Sequence, residues 1–307
     1  MATMKTLNGY GFNATEFNGK AASDYLQKTD TATNSAKLGG KAPEYYIQPR
    51  NLLDNSDFRN PVNQRGKTSY SGIWAYSIDR WATWRNTSNP GTVSVVSGGI
   101  TVSFPGMVAQ RIESKYIDSS KIYTFAAMTG DGLLVLSGKI TSTTTGTTNA
   151  NNGIYFNYLP NSGLYQFMLS AATSASKFVW AALYEGSYTA DTLPPYVPKG
   201  YAAELAECQR YYQIIRLYRY LSALYDNEYR YYGYSLPVKM RVKPAVTIEF
   251  MEECKVNSFN KNTLKSYSGG SYDSFEGMSI WFNCRSELGT MQSQCYVSTK
   301  IACSADL

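Results

Sequence analysis

Tyrosine and arginine crowd one stretch of this 307-residue chain. Residues 211–234 hold nine Tyr in 24 positions, interleaved with Arg216, Arg219 and Arg230. Tyr offers a large, rigid, amphipathic surface at low entropic cost. Its ring stacks on a sugar face while its hydroxyl bonds sugar hydroxyls. Tyr229, Tyr231, Tyr232 and Tyr234, around Gly233, are the candidates for such contact. Tyr211, Tyr212 and Tyr218 adjoin a helical pattern and read as packing. Packing between strands or between subunits is the competing use of every Tyr in the stretch. Trp74, Trp81 and Trp84 read as one strand. Three residues separate Trp81 from Trp84, so they face opposite sides, Trp81 to the core and Trp84 to the surface as a ligand candidate. Trp180 sits in an apolar run and reads as core, and Trp281 is a second surface candidate. RNA binding ranks below glycan binding: no RNA motif is present, and Glu204, Glu207, Asp226 and Glu228 offset the arginine charge.

Acid–base chemistry has less to draw on. The chain contains no His, which removes the commonest general base and metal ligand and excludes Ser-His-Asp and Cys-His hydrolases. Carboxylate pairs such as Glu252-Glu253 exist, as a glycosidase requires. Most acids, including Asp54, Asp57, Asp118, Asp131 and Asp226, stand in turn contexts where they accept backbone hydrogen bonds. The five Cys (208, 254, 284, 295 and 303) form no Cys-x-x-Cys pair. They read as free thiols in a β core, with a C-terminal disulfide as the alternative. Neither a metal nor a cofactor is expected, and neither is catalysis. The net charge of +6 would aid approach to an anionic surface without marking a nucleic-acid binder. No stretch approaches the ~20 apolar residues of a membrane span, and residues 1–10 lack the apolar centre of a signal peptide, so synthesis in a cytoplasm is expected.

The elements that must hold these residues are mostly strands. Composition is 43% hydrophobic and only 17% charged, with 27 Tyr and abundant Ser, Thr, Asn and Gly. Such a mixture suits many short strands and turns. Strand patterns run over 92–96, 100–104, 107–112, 121–128, 133–136, 153–158, 164–169 and 177–184, with Gly, Pro and Asn breaks between them. A polar loop spans 141–152. After the stiff Leu193-Pro-Pro-Tyr-Val-Pro198 comes one helix over 201–212, with Leu205 and Cys208 on a shared face and Glu204 and Glu207 near its N-terminus. Residues 236–250 read as loop and strand, and 279–284 and 295–303 as closing strands around a Ser/Gly-rich loop at 260–276. The N-terminal part differs. Residues 13–27 return as 34–48 with six of 15 positions identical, including Gly19-Lys-Ala21 and Gly40-Lys-Ala42. Each copy is too small and polar to bury a core alone, and two copies make no solenoid, so the expected neighbour is the same segment on another chain.

These motifs together resemble phage tail fibres and receptor-binding proteins, a group that also occurs in phage-derived contractile particles. The two Gly-Lys-Ala repeats look like stem repeats. Asn51-Leu-Leu-Asp-Asn-Ser-Asp-Phe58, Asn63-Gln-Arg-Gly66 and Ile78-Asp-Arg-Trp81 resemble the opening of a domain common in phage tail proteins, and 204–212 with 240–247 is similar to their C-terminal module. The resemblance implies an all-β homotrimer in three parts. These are fibrous stem repeats at 1–50, a jelly-roll-like, carbohydrate-binding-like β-sandwich at 51–200, and a C-terminal β tip with one short helix at 201–307. It implies attachment to tail or baseplate proteins through the N-terminus and a place in the virion tail, after synthesis in the bacterial host. The expected function is recognition of host surface polysaccharide without cleavage, with no nucleic-acid partner and no membrane insertion. The alternatives are a structural fibre with the sandwich as spacer, and a glycan-cleaving spike. No binding residue is carried over by position.

Overall fold

The computed structural model describes residues 16–17, 20–21, 49–84, 91–141, 153–171, 174–224, 229–242, 244–250, 255–256, 279–285 and 292–306. Only the backbone is described at 16–17, 20–21, 217–224, 229–233, 248–250, 255–256, 279–285 and 292–299. The chain divides into two units, Met1–Pro49 with Asp191–Pro195, and Arg50–Ala190 with Tyr196–Leu307. In the first unit, β1 (Glu16–Phe17) pairs antiparallel with β2 (Lys20–Ala21), Phe17 opposite Lys20. The second repeat, 34–48, lies outside the described residues, as do the loops at 142–152 and 260–276, Cys254 and Glu252-Glu253.

The second unit is all-β apart from one α-helix among the described residues. A six-stranded sheet runs β10 (Leu133–Lys139), β9 (Ile122–Thr129), β13 (Ser176–Glu185), β7 (Gly99–Val102), β6 (Gly91–Val96), β3 (Ser69–Gly72). A five-stranded sheet runs β11 (Ile154–Leu159), β12 (Leu164–Ser170), β8 (Met107–Glu113), β5 (Ala82–Trp84), β4 (Trp74–Tyr76). All pairs are antiparallel. The period-2 alternation in the sequence puts one face of each sheet into a shared core, giving a β-sandwich-like arrangement. Phe125 of β9 meets Phe167 of β12 edge-to-face at 5.5 Å between ring centroids. Val108, Ile112, Phe156, Phe167 and Leu169 fill the five-stranded side of that core.

The expected strand through 74–84 is in fact a hairpin. Trp74 and Trp84 sit opposite each other on β4 and β5, and Trp81 lies in the turn between them. Arg80 adopts φ +70° in that turn, and the Ser77 N–H donates to the Trp81 carbonyl at 2.7 Å. Trp81 is fully buried against Phe58.

The segment 51–58 runs beside β13 and is stitched to it by its own side chains. Asn51 Oδ1 accepts from the N–H groups of Leu53 and Leu183, and its Nδ2 donates to the Ala181 carbonyl. Asn55, at φ +51°, uses its amide on the carbonyls of Val62 and Asp79 and on the Val62 N–H. The Trp81 indole N–H donates to the Asn55 carbonyl at 2.9 Å. Thus the Asn51–Phe58, Asn63–Gly66 and Ile78–Trp81 motifs form one buried polar junction.

The C-terminal strands belong to this same unit. Helix α1 (Tyr201–Gln209) buries Cys208 and Glu204, while Leu205 is only half-buried. β14 (Tyr212–Leu224), β19 (Gln292–Ser304) and β16 (Ala245–Phe250) form a sheet, with β17 (Lys255–Val256) also on β19. β15 (Tyr229–Ser235) pairs separately with β18 (Ser279–Arg285). Their core is Ile215, Leu236, Met240, Ile301, Cys303 and Ala305. Cys208 and Cys303 are free, buried thiols. The Asn63–Gly66 turn reaches this region. Gln64 Nε2 donates to the Tyr212 carbonyl, Arg65 pairs with Asp79 at 3.0 Å and Asp306 at 2.6 Å, and its guanidinium lies over the Tyr212 ring.

Candidate functional site

Strand alternation decides which side chains the five-stranded sheet turns away from its core. Because Val108, Ile112, Phe167 and Leu169 point inward, Met107, Ala109, Arg111, Gln166 and Met168 occupy the opposite face. The register carries that face across the sheet. Trp84 is opposite Met107, Trp74 is opposite Trp84, and Asn157 is opposite Gln166, which is opposite Arg111. The outer face therefore holds two tryptophans at one end and a guanidinium with two amides in a row at the other.

Side-chain geometry joins the two ends. The Arg111 guanidinium lies 3.6 Å from the Trp74 ring centroid. On the ladder those residues are separated along the strands, so the indole and the Arg stem must reach toward each other across Ala82 and Ala109. These are the small residues of the face, 0% and 1% exposed. Trp74 meets Tyr76 edge-to-face at 6.2 Å, and Arg65 lies 5.2 Å from the Tyr76 ring. Trp84 remains 39% exposed at the open end. An exposed indole beside a half-buried one is a stacking platform for a flat, weakly apolar ring. The polar row lies deeper, with Gln166 only 3% exposed. Asn157 Oδ1 is buried and has no hydrogen-bond partner among the described residues, and Arg111 Nε donates to Gln166 Oε1 at a long 3.5 Å. Burial works against the charge of Arg111 and lowers its pKa.

Trp84 is thus placed on an exposed aromatic surface. Trp74 beside it, and Arg111, Gln166 and Asn157 elsewhere on the same face, were missed as site residues by sequence reasoning. The signal was present as the i, i+2 phase of Ala109/Arg111 and of Gln166/Met168, but only the register shows that these strands adjoin.

The other candidates lie on the β15–β18 ladder, where the backbone brings them together. Gly233 is opposite Trp281, and Tyr231 and Tyr229 share that face with Asn283 and Arg285. Tyr232 and Tyr234 share the opposite face, opposite Phe282 and Ile280. Tyr234 packs, half-buried, against the C-terminal core. Tyr211 is buried, with the Arg80 guanidinium 3.5 Å above its ring.

A second polar feature is a notch of ≈ 180 Å³ lined by Asn55, Asp57, Asn60, Lys199, Tyr201 and Glu204, among others. Glu204 is 5% exposed. Its Oε2 accepts the Asn55 N–H at 2.6 Å, and Oε1 has no partner among the described residues. Burial pushes its carboxyl up to about 7, against the Asn55 hydrogen bond and Lys199. Nearby, Arg80 is buried and pairs with Asp54 at 3.0 Å. Burial raises Asp54, but Arg80 and Lys199 outweigh it and hold the carboxyl below its usual range. Lys199 also donates to Glu207 at 2.7 Å. Both Asp57 oxygens are held by Arg59, at 2.6 and 3.1 Å. Asp54, Asp57 and Glu207 are committed to ion pairs, whereas Glu204 keeps Oε1 without a partner among the described residues. Among the described residues no group of three or more His, Cys, Asp or Glu is placed to hold a metal ion.

No protein-family model, no curated protein and no solved structure matches the chain.

Proposed function

We propose that the protein is a receptor-binding fibre subunit that recognises host cell-surface polysaccharide without cleaving it. One observation carries the reading: the outer face of the five-stranded sheet carries the exposed Trp84 and Trp74 at one end and the Arg111–Gln166–Asn157 row at the other, with Trp74 reaching the Arg111 guanidinium. Flat aromatic surface on the same face as a guanidinium is what sugar rings and their polar substituents require. The Tyr-rich β15–β18 ladder supplies a second aromatic face, with Tyr231 and Trp281 on one side.

In this reading the repeats of residues 1–50 form the stem and join three copies. The stem points to tail or baseplate proteins in a virion tail or related particle, and the sandwich and tip point to the target. Single sugar sites are weak, and three copies raise avidity through effective concentration. A glycan-cleaving spike is favoured only by Asp57 and Glu204 sharing a notch. The Arg59 clamp holds both Asp57 oxygens, so among the described residues the notch offers Glu204 Oε1 alone rather than the open carboxyl pair that hydrolysis needs. The test is a glycan array probed with the purified oligomer and with a Trp74→Ala/Trp84→Ala variant. Binding by the first and loss in the second supports the proposal. Equal binding moves the site elsewhere, and release of reducing ends from a bound polysaccharide would overturn the non-enzymatic part.

A further inference from the structure

The polar row on the outer face says more than that a sugar binds. Arg59, Arg65, Arg80 and Arg241 each meet a carboxylate at 2.6–3.0 Å. Arg111 meets none among the described residues, although it is half-buried and its guanidinium is pressed against the Trp74 indole. A partly desolvated cation without a counter-charge is costly, and proteins seldom keep one unless something pairs with it. Stacking on Trp74 holds the guanidinium plane and leaves its terminal nitrogens without a carboxylate. Gln166 and Asn157 stand directly opposite on the next two strands, about 5 Å apart at each step. Asn157 Oδ1 is a buried acceptor still lacking a donor among the described residues. Neutral sugars would leave the guanidinium uncompensated, whereas a fork of N–H donors matches a planar or tetrahedral oxyanion in two-point contact.

We infer that this row recognises an anionic glycan. Arg111 grips a carboxylate or phosphate on the sugar, the buried Gln166 amide backs the guanidinium from the next strand, and the exposed Trp84 at the open end supports a neighbouring ring. The inference rests on the proposed glycan-binding function and narrows its ligand class. The net charge of +6 favours approach to the same kind of polymer.

The experiment measures binding of the full-length oligomer to three immobilised probes: polygalacturonate, the same polymer after chemical reduction of its carboxyls, and a glycerol-phosphate polymer carrying sugar substituents. The expected result is binding to at least one anionic probe and a marked loss on the carboxyl-reduced one. Arg111→Gln should weaken anionic binding roughly ten- to hundredfold, as expected for lost charge-assisted hydrogen bonds. Arg111→Lys, which keeps the charge but not the fork, should fall between. An unchanged thermal midpoint in both variants separates lost recognition from lost folding. The carboxylate and phosphate arms tell the two oxyanion sources apart. Equal binding to native and carboxyl-reduced polymer, with Arg111→Gln binding like the parent protein, overturns the anionic assignment while leaving glycan recognition standing. Silence on every probe overturns both.

Discussion

Replacing Glu204 with Gln tests the buried junction through its pH dependence. Glu204 titrates near 4.5 when unfolded and is pushed up to about 7 by burial in the folded protein. A carboxyl with a raised folded value is bound more tightly to its proton in the native state. The associated stability is fully present below the unfolded value and is lost as pH rises through the folded one. Integrating between those two values, the native protein loses about 3 kcal/mol from this group between about pH 4 and about pH 8, most of it between about pH 5 and pH 7. Glu204→Gln keeps an oxygen for the Asn55 N–H and cannot ionise. The fit of the new amide is independent of pH and cancels in the comparison. So does the titration of Asp79, which burial raises to about 6 in both proteins. Urea unfolding at the two pH values should show the variant gaining about 3 kcal/mol on the parent protein on going from acid to alkaline pH. A parent–variant difference that is the same at both pH values, within about 0.5 kcal/mol, would refute the buried, proton-bound Glu204.

Two further substitutions probe the frame that positions the site. Trp81→Ala removes a fully buried indole and its hydrogen bond to Asn55, and should cost about 3–5 kcal/mol in urea unfolding. Trp84→Ala, at a 39% exposed position three residues away, should cost under about 1 kcal/mol. Asp54→Asn leaves the Arg80 guanidinium, whose side chain is 2% exposed, without its charge partner and should cost about 3–5 kcal/mol. A loss below about 1 kcal/mol would show the pair to be better hydrated than its burial indicates.

Much of the sandwich is legible in the sequence because its strands are short, alternate cleanly and end at Gly or Pro. The patterns at 107–112 and 164–169 correspond to β8 and β12 within a residue, and the helix expected over 201–212 occupies Tyr201–Gln209. Trp81 is the core indole and Trp84 the exposed one, as expected, but Trp81 stands in the hairpin turn and not on one strand with Trp84, so burial against Phe58 rather than strand phase decides it. Less was legible where long-range pairing decides the outcome. Glu204 reads as a solvated acid favouring a helix N-terminus, yet packing drives it against Asn55, 149 positions earlier. Asp54 reads as a turn former and instead neutralises Arg80, whereas Asp118 does accept the Ser120 N–H as its turn context implies. The Arg111–Gln166–Asn157 row is invisible in one dimension. Its members come from three strands, and only hydrogen-bond register aligns them. The tyrosines that stand out most in the sequence are placed by backbone pairing alone. Even so, the ladder splits them between two faces, Tyr229 and Tyr231 on one and Tyr232 and Tyr234 on the other.

The most direct measurement is a crystal structure of the oligomer soaked with fragments of a polysaccharide that it binds. An oligosaccharide lying along this face, with one ring on Trp84 and a polar group of another on Arg111, is the result expected. Sugar bound only elsewhere on the protein, with this face bare at saturating ligand, would contradict the site proposed.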